Sequence, residues 1–227
     1  MGLFYYGFEL SHGGSKILKY LKLFYLLLVL IFLTSCKGTD ETINAIEVND
    51  SFITPNEGLK LTDARKLIIE ELEKRDVKGD IESVAIIEEI TTEEFWSSVG
   101  AQLYKVDVDY AWINGVAIIK DNKVLEILIG MPTLEIFIAD LDEDCIYEVY
   151  TNIATGSGLV SYNILGYNIA TQDTYSLTNR GKQDFTLFIK DNVLMAKVTK
   201  FSSIHEVEKT GTLLIEKDIN KVKIYIE

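Results

Sequence analysis

The stretch 115–130, GVAIIKDNKVLEILIG, decides the fold class of this chain. It consists of two runs rich in Val, Ile and Leu, residue types that favour strands, on either side of Lys-Asp-Asn-Lys. Asp and Asn tolerate the positive φ of a tight turn, so the pattern predicts an antiparallel hairpin centred on Asp121 and Asn122. The stretch 184–200, DFTLFIKDNVLMAKVTK, repeats the pattern with the same Lys-Asp-Asn. The second half of the chain therefore reads as paired strands.

Further apolar runs continue to the C-terminus at unequal intervals, which indicates a meander of strands and not a regular repeat array. Two helical patterns precede them. One covers 62–75, with Thr62 or Asp63 as its cap, and the other covers 91–98 and begins with a threonine cap. We therefore expect a mainly β, α+β fold, an antiparallel meander with one or two helices near the N-terminus of the domain. Each sheet is expected to bury one face and expose the other.

The composition indicates a globular, acidic protein. Hydrophobic residues make up 48% of the 227 residues, which is enough for a packed core in a single domain. The formal net charge is −13, so we expect no nucleic-acid partner.

The N-terminal stretch 16–36, KILKYLKLFYLLLVLIFLTSC, has the features of an export signal. Lys16, Lys19 and Lys22 precede an unbroken apolar run over 24–33. A run of this length is too short for a spanning helix, which needs about 20 residues. It is typical of the apolar region of a secretory signal that follows a basic segment.

The tetrapeptide Leu33-Thr34-Ser35-Cys36 at the end of that run resembles the lipobox of bacterial lipoproteins. The resemblance implies that Cys36 is acylated through its sulfur and becomes the mature N-terminus. The protein would then be anchored to the cell membrane or the outer membrane through lipid, with its domain outside the cytoplasm. The alternative is an uncleaved signal anchor with a chance cysteine.

The lipobox also sets the expected domain boundaries. We expect a signal peptide over 1–35, the lipidated cysteine and a flexible tether over 36–58, and a single β-rich domain over 59–227. The chain has two cysteines, so acylation of Cys36 would leave Cys145 without an intramolecular partner. No disulfide is expected in the domain.

The acidic stretch 138–148, IADLDEDCIYE, is the clearest candidate site. Aspartates alternate along it and a glutamate follows, a spacing that can turn oxygens inward towards a hard cation such as calcium. The stretch resembles the calcium loops of FG-GAP and VCBS-type repeats, which connect strands in extracellular proteins. That resemblance implies a calcium site with oxygens from Asp140, Asp142, Asp144, the Ile146 carbonyl and Glu148.

One position departs from the calcium-loop pattern. Cys145 stands where such loops have glycine, because the chain needs a positive φ there. A non-glycine residue in that conformation costs about 1 kcal/mol. The alternative is therefore an acidic turn that joins strands 133–139 and 146–152 and binds no metal.

Catalytic patterns are weak throughout the chain. Ser157 lies between two glycines and His205 stands alone, but no nucleophile motif accompanies either residue. Asp107 and Asp109 share one face of a predicted strand, as a glycosidase pair could, but a solvated strand face also explains them.

We assign no catalytic residue, and we expect no cofactor apart from calcium. We therefore expect a lipid-anchored binding or interaction domain with a protein or small-ligand partner in the envelope. A carboxylate-dependent envelope hydrolase and a structural or assembly lipoprotein, the latter bound through strand edges, are the alternatives.

Overall fold

The computed structural model describes residues 45–48, 58–77, 81, 85–108, 113–156, 158–202, 206–218 and 221–227. The chain divides into two compact units, Met1–Glu41 and Thr42–Glu227, and every described residue belongs to the second. Within these described ranges, no helix has the length and apolar character needed to span a membrane. The tetrapeptide that resembles a lipobox and the whole predicted leader lie outside the described residues.

Helix α1, Leu61–Lys74, confirms the predicted helix, but its cap differs from the prediction. The N-cap residue is Lys60, which makes no side-chain capping bond. Neither Thr62 nor Asp63 is the N-cap. The preceding residue, Leu59, is held from outside the helix. Its N–H donates to the side-chain oxygen of Gln102 (2.6 Å), and its carbonyl accepts from the same amide group (3.2 Å). A tertiary contact thus fixes the start of the helix in place of a local cap.

Helix α2, Glu93–Val99, follows the prediction closely. The Thr92 hydroxyl accepts a bond from the N–H of Phe95 (3.2 Å), as an N-cap threonine does. The helix ends at Gly100, whose φ of 60° is left-handed and suits glycine. Phe95 and Val99 are buried, so the helix packs through one apolar face.

The strands form three antiparallel sheets, which confirms the mainly β, α+β class. We call them the central sheet (order β1-β6-β7-β8-β9), the helix-side sheet (β2-β3-β4-β5) and the C-terminal sheet (β10-β11-β12-β13). In chain order the strands are β1 Ile46–Glu47, β2 Ala85–Glu89, β3 Gln102–Val108, β4 Ile113–Lys120, β5 Lys123–Gly130, β6 Thr133–Ala139, β7 Glu148–Thr155, β8 Ser161–Asn168, β9 Asp173–Leu177, β10 Gln183–Lys190, β11 Val193–Lys200, β12 Val207–Asp218 and β13 Lys221–Ile226.

Two hairpins have the tight turns that the sequence predicts. Asp121 and Asn122 have φ values of 51° and 58°, and Asp191 and Asn192 have 52° and 62°. Positive φ at both central residues is the geometry that matches the right-handed twist of paired strands. Each Asp-Asn pair therefore fixes the register of its hairpin, with Lys120 opposite Lys123 in the first.

The central sheet is buried on both faces, which differs from the expectation of one buried and one exposed face. One face packs against the helix-side sheet and α2, and the other packs against the C-terminal sheet. Strand β6 illustrates this, because Ile136 and Ile138 belong to the first core while Phe137 and Ala139 belong to the second. Helix α1 covers the other face of the helix-side sheet through Ala64, Ile68, Ile69 and Leu72. The layer order is α1, helix-side sheet, central sheet, C-terminal sheet.

Part of the stretch assigned to a tether forms an edge strand of the central sheet. Ile46 pairs with Ile138 in β6, and the N–H of Val48 donates to the carbonyl of Ile136 (2.8 Å). Ala45 is buried, and its N–H donates to the carbonyl of Asn192 (2.9 Å). Polar residues on both sides make this short apolar segment hard to recognise as a strand in the sequence, and its stability comes from its partners. The chain thus enters the domain at the end of β6 that leads into the acidic stretch.

This docking predicts an unequal effect of N-terminal truncation. A chain that begins at Asn49 should lose about 2 kcal/mol of unfolding free energy relative to one that begins at Thr42, because the burial of Ala45 and the β1 ladder are lost. A chain that begins at Lys37 should match the Thr42 chain. Urea unfolding measures the difference, and equal stability of all three chains would show that β1 contributes nothing.

Candidate functional site

The acidic stretch forms the connection between β6 and β7 at one end of the central sheet. Four of its carboxylates converge, because one oxygen from each lies within 4.8 Å of the oxygens of the others. Ile146, the fifth predicted ligand, lies in the same loop, where its N–H donates to Asp144 (2.9 Å). The converging residues are Asp140, Asp142, Asp144 and Glu148.

The loop backbone has the turn that the calcium-loop resemblance requires. The two carboxylate oxygens of Asp140 accept bonds from the N–H groups of Asp144 (3.1 Å) and Cys145 (2.8 Å). Cys145 has a φ of 67°, and Glu143 has a φ of 59°. Cys145 therefore adopts the left-handed conformation for which glycine is usual, at a cost of about 1 kcal/mol.

Glu148 is the buried member of the cluster, at the first position of β7. Its carboxylate accepts bonds from the N–H of Leu141 (2.9 Å), from the Nδ2 of Asn168 (2.9 Å) and from the Tyr150 hydroxyl (3.3 Å). Burial is the main cause that raises the pKa of Glu148 to about 8, and the neighbouring aspartates raise it further. Without a cation, this carboxyl therefore carries a proton at neutral pH.

Burial also raises the pKa of Asp140, and the charges of Asp144 and Asp142 add to the effect. The two backbone N–H bonds that Asp140 accepts have the opposite effect and lower its pKa. Burial and the repulsion from nearby carboxylates therefore disfavour the ionised forms of Asp140 and Glu148.

Three residues that the sequence does not indicate complete the site. The Asn168 amide bridges Asp142 (3.0 Å) and Glu148 (2.9 Å). Tyr150 and Tyr175 place their rings over Gly166, where a Cβ would meet both. Asn168 and Tyr175 are distant in sequence from the loop, so the only available signal for them is a polar asparagine at the end of an apolar strand.

The Tyr175 hydroxyl is buried beside the cluster. Burial raises the pKa of Tyr175 to about 12, and the charges of Glu148 and Asp142 contribute. The Thr171 side chain approaches this hydroxyl and lowers its pKa, but the contact lies outside hydrogen-bond geometry, so the buried oxygen has no hydrogen-bond partner. A buried hydroxyl without such a partner is costly in a native structure.

Helix α2 fixes the outer side of the loop. The Ser98 hydroxyl donates to the carbonyl of Cys145 (3.2 Å) and accepts from the N–H of Tyr147 (3.2 Å). Cys145 is disulfide-bonded, which corrects the expectation that it has no partner.

Of the other sequence candidates, one is a described residue, and it does not belong to this cluster. Asp107 lies in β3, while Asp109, Ser157 and His205 lie outside the described residues, as does Cys36. No protein-family model matches the chain, and neither a curated protein nor a solved structure is significantly similar to it.

The raised pKa of Glu148 predicts how the metal-free protein responds to pH. In chelator, the unfolding free energy should fall as the pH rises from 4.5 to about 8, because the folded state keeps a proton that the unfolded state has released. Glu148→Gln should remove most of this slope, and Glu143→Gln, which changes an exposed carboxyl of the same loop, should retain it. Urea unfolding over a pH series measures the slope. If the unfolding free energies of wild type and Glu148→Gln changed with pH in parallel, Glu148 would not be the group with the raised pKa.

Proposed function

We propose that this chain is a lipid-anchored protein of the cell envelope whose domain binds calcium in the 140–148 loop and recognises a ligand or partner without catalysing a reaction. The observation that carries the calcium proposal is the convergence of four carboxylates within 4.8 Å. Calcium is a hard cation that takes six to eight oxygen ligands, and no thiol or imidazole belongs to this group.

A cation would remove the electrostatic cost of the site. It would neutralise the repulsion among the carboxylates and replace the proton on Glu148. Glu148 holds the N–H of Leu141 at the start of the loop, and Asp140 holds the N–H of Cys145. The ion would therefore fix the loop as one unit against α2 and the ends of β7 and β8. Its role would be structural, because it would hold this end of the domain together.

The hydrolase alternative finds little support in this cluster. A hydrolase needs a carboxyl with raised pKa that reaches its substrate. Glu148 has the largest shift among the carboxyls of the described residues, but its side chain is 0% exposed. Asp140 uses both oxygens to hold the turn.

The assembly alternative requires a strand edge open to a partner. The edge of the helix-side sheet at β5 is closed at Ile127, whose carbonyl accepts from Arg75 (3.0 Å) and whose N–H donates to Glu126 (2.8 Å). Arg75 and Glu126 also form an ion pair (2.7 Å). Charged side chains at an edge disfavour the addition of another strand, so assembly through the edge at β5 is disfavoured.

The anchor proposal rests on the sequence features of the leader. A sulfur atom forms either the thioether of a lipoprotein or a disulfide, so lipidation of Cys36 and a bond between Cys36 and Cys145 exclude each other. The structure has Cys145 in a disulfide, whereas the lipidated protein would have a free thiol at this position, so the chemical state of Cys145 discriminates between the two.

Calcium should stabilise the domain. In a chain that begins at Lys37, calcium at a hundredfold excess over its Kd should add about 2.7 kcal/mol to the unfolding free energy, because only the folded state binds the ion. The melting temperature should rise with calcium and fall with chelator. Asp142→Asn should remove most of the difference, since it takes one charge from the cluster while its amide oxygen can still accept from Asn168.

Two matched variants sharpen this experiment. Cys145→Gly should bind more tightly, because glycine adopts a φ of 67° without strain. This chain lacks Cys36, so the change breaks no intramolecular disulfide. Glu143→Gln should leave calcium binding largely intact. If the melting curves with calcium and with chelator coincide for both wild type and Cys145→Gly, the stretch is an acidic turn that binds no metal.

Lipidation can be read from the mature protein. Mass spectrometry of the chain expressed with its leader should find the N-terminus at Cys36 with acyl chains attached, and maleimide should label Cys145. Cys36→Ala should abolish acylation and detergent partitioning. An unmodified Cys36 in a disulfide with Cys145 would refute the anchor.

A further inference from the structure

A second feature lies at the opposite end of the domain, where the central and C-terminal sheets meet. Strands β9 and β13 are the outer strands of these two sheets. An open pocket of about 340 Å³ lies between them. It is lined by Leu177, Thr178, Asn179, Gln183, Phe185, Val198, Lys209, Tyr225 and Ile226.

The floor of the pocket is apolar. Phe185 and Val198 are buried members of the core between the two sheets, and Leu177 and Ile226 pack against that core. Tyr225 stands on the rim, 42% exposed. An apolar floor that opens to solvent in this way can take the apolar body of a small ligand.

The rim is polar, and the described residues that line it include one cation, Lys209. The Asn179 amide donates to Gln183 (2.8 Å), and the Gln183 amide donates to Glu208 (2.6 Å), so this side of the rim is held by its own hydrogen bonds. The Lys209 ammonium donates to the carbonyl of Ile226 (2.7 Å). Among the described residues, no carboxylate lies within ion-pair distance of Lys209. A main-chain carbonyl thus positions a positive charge at the mouth of an apolar pocket, on a chain of net charge −13.

From this arrangement we propose that the pocket binds a small amphipathic carboxylate. The carboxylate would pair with Lys209, and the apolar body would contact Phe185, Val198 and the Tyr225 ring. Lys209 has two further N–H donors beyond the one that Ile226 accepts, so it can bind the anion without losing its anchor. The pocket lies at the opposite end of the strands from the 140–148 loop and needs no calcium.

A matched pair of probes tests the proposal. The full chain in phosphatidylcholine nanodiscs is titrated by calorimetry with phenylbutyrate and with phenylbutyramide, which has the same body without the charge, and empty nanodiscs correct for partitioning. Wild type should bind phenylbutyrate about tenfold more tightly than the amide, as expected for one charge-assisted hydrogen bond. Lys209→Met should abolish that preference and leave amide binding unchanged. Lys190→Met, which removes an exposed lysine at the other end of β10, should behave as wild type.

Two further variants test the apolar body of the ligand. Tyr225→Ala, at an exposed position where a folding defect is not expected, should weaken both probes by a similar factor. Val198→Trp should fill the floor and prevent both from binding. Equal affinity of wild type for the two probes, or no binding of either, would overturn the proposal. Retention of the acid preference in Lys209→Met would also overturn it.

Discussion

Burial of both faces of the central sheet is the constraint on which the rest of this structure depends. Strands β6 and β7 lie between two other sheets, so residues 136–139 of β6 and 148–154 of β7 are all buried. A strand in this position has no solvated face on which to place polar groups. Polar side chains are confined to its ends or must find partners inside, as Asn152 does by donating to Glu135 and accepting from the N–H of Leu187.

The electrostatics of the acidic loop follow from that constraint. Glu148 begins β7 and shares its burial, so its carboxyl is removed from water while three aspartates remain near it. Desolvation therefore raises its pKa more than charge repulsion does. The same four carboxylates at the end of a half-exposed sheet would be an ordinary acidic surface. Their position at the end of an enclosed strand raises the pKa of Glu148, and a cation bound there would relieve the same repulsion.

The sequence predicted those features that depend on local chemistry. The Asp-Asn turns and the Thr92 cap are set by residues next to each other in the chain, and the structure contains both. Convergence of the acidic residues follows from their alternate spacing in one loop. Features set by distant contacts were not predictable. Strand β1 has only two residues, and its stability comes from β6 and Asn192.

The residues around the acidic loop could not be predicted from the sequence for the same reason. Asn168 and Tyr175 reach the loop because β8 and β9 pair beside β7, and no spacing in the sequence records that pairing. The start of α1 is similar, since Gln102 holds Leu59 across the fold and no local cap is needed. Burial of both faces of a sheet also leaves the apolar pattern ambiguous, because a strand with no solvated face loses its alternation.

The way the chain enters the domain has a mechanical consequence. Strand β1 runs antiparallel to β6, and its N-terminal residue lies opposite Ile138, near the loop end of that strand. A pull on the chain before Ala45, directed outward along the strands, would load the hydrogen bonds of β1 in shear, so that they bear the force together. A pull directed sideways would break them one at a time and expose the edge of β6 beside the carboxylate loop. The orientation of the force, more than its size, would then decide whether this edge opens.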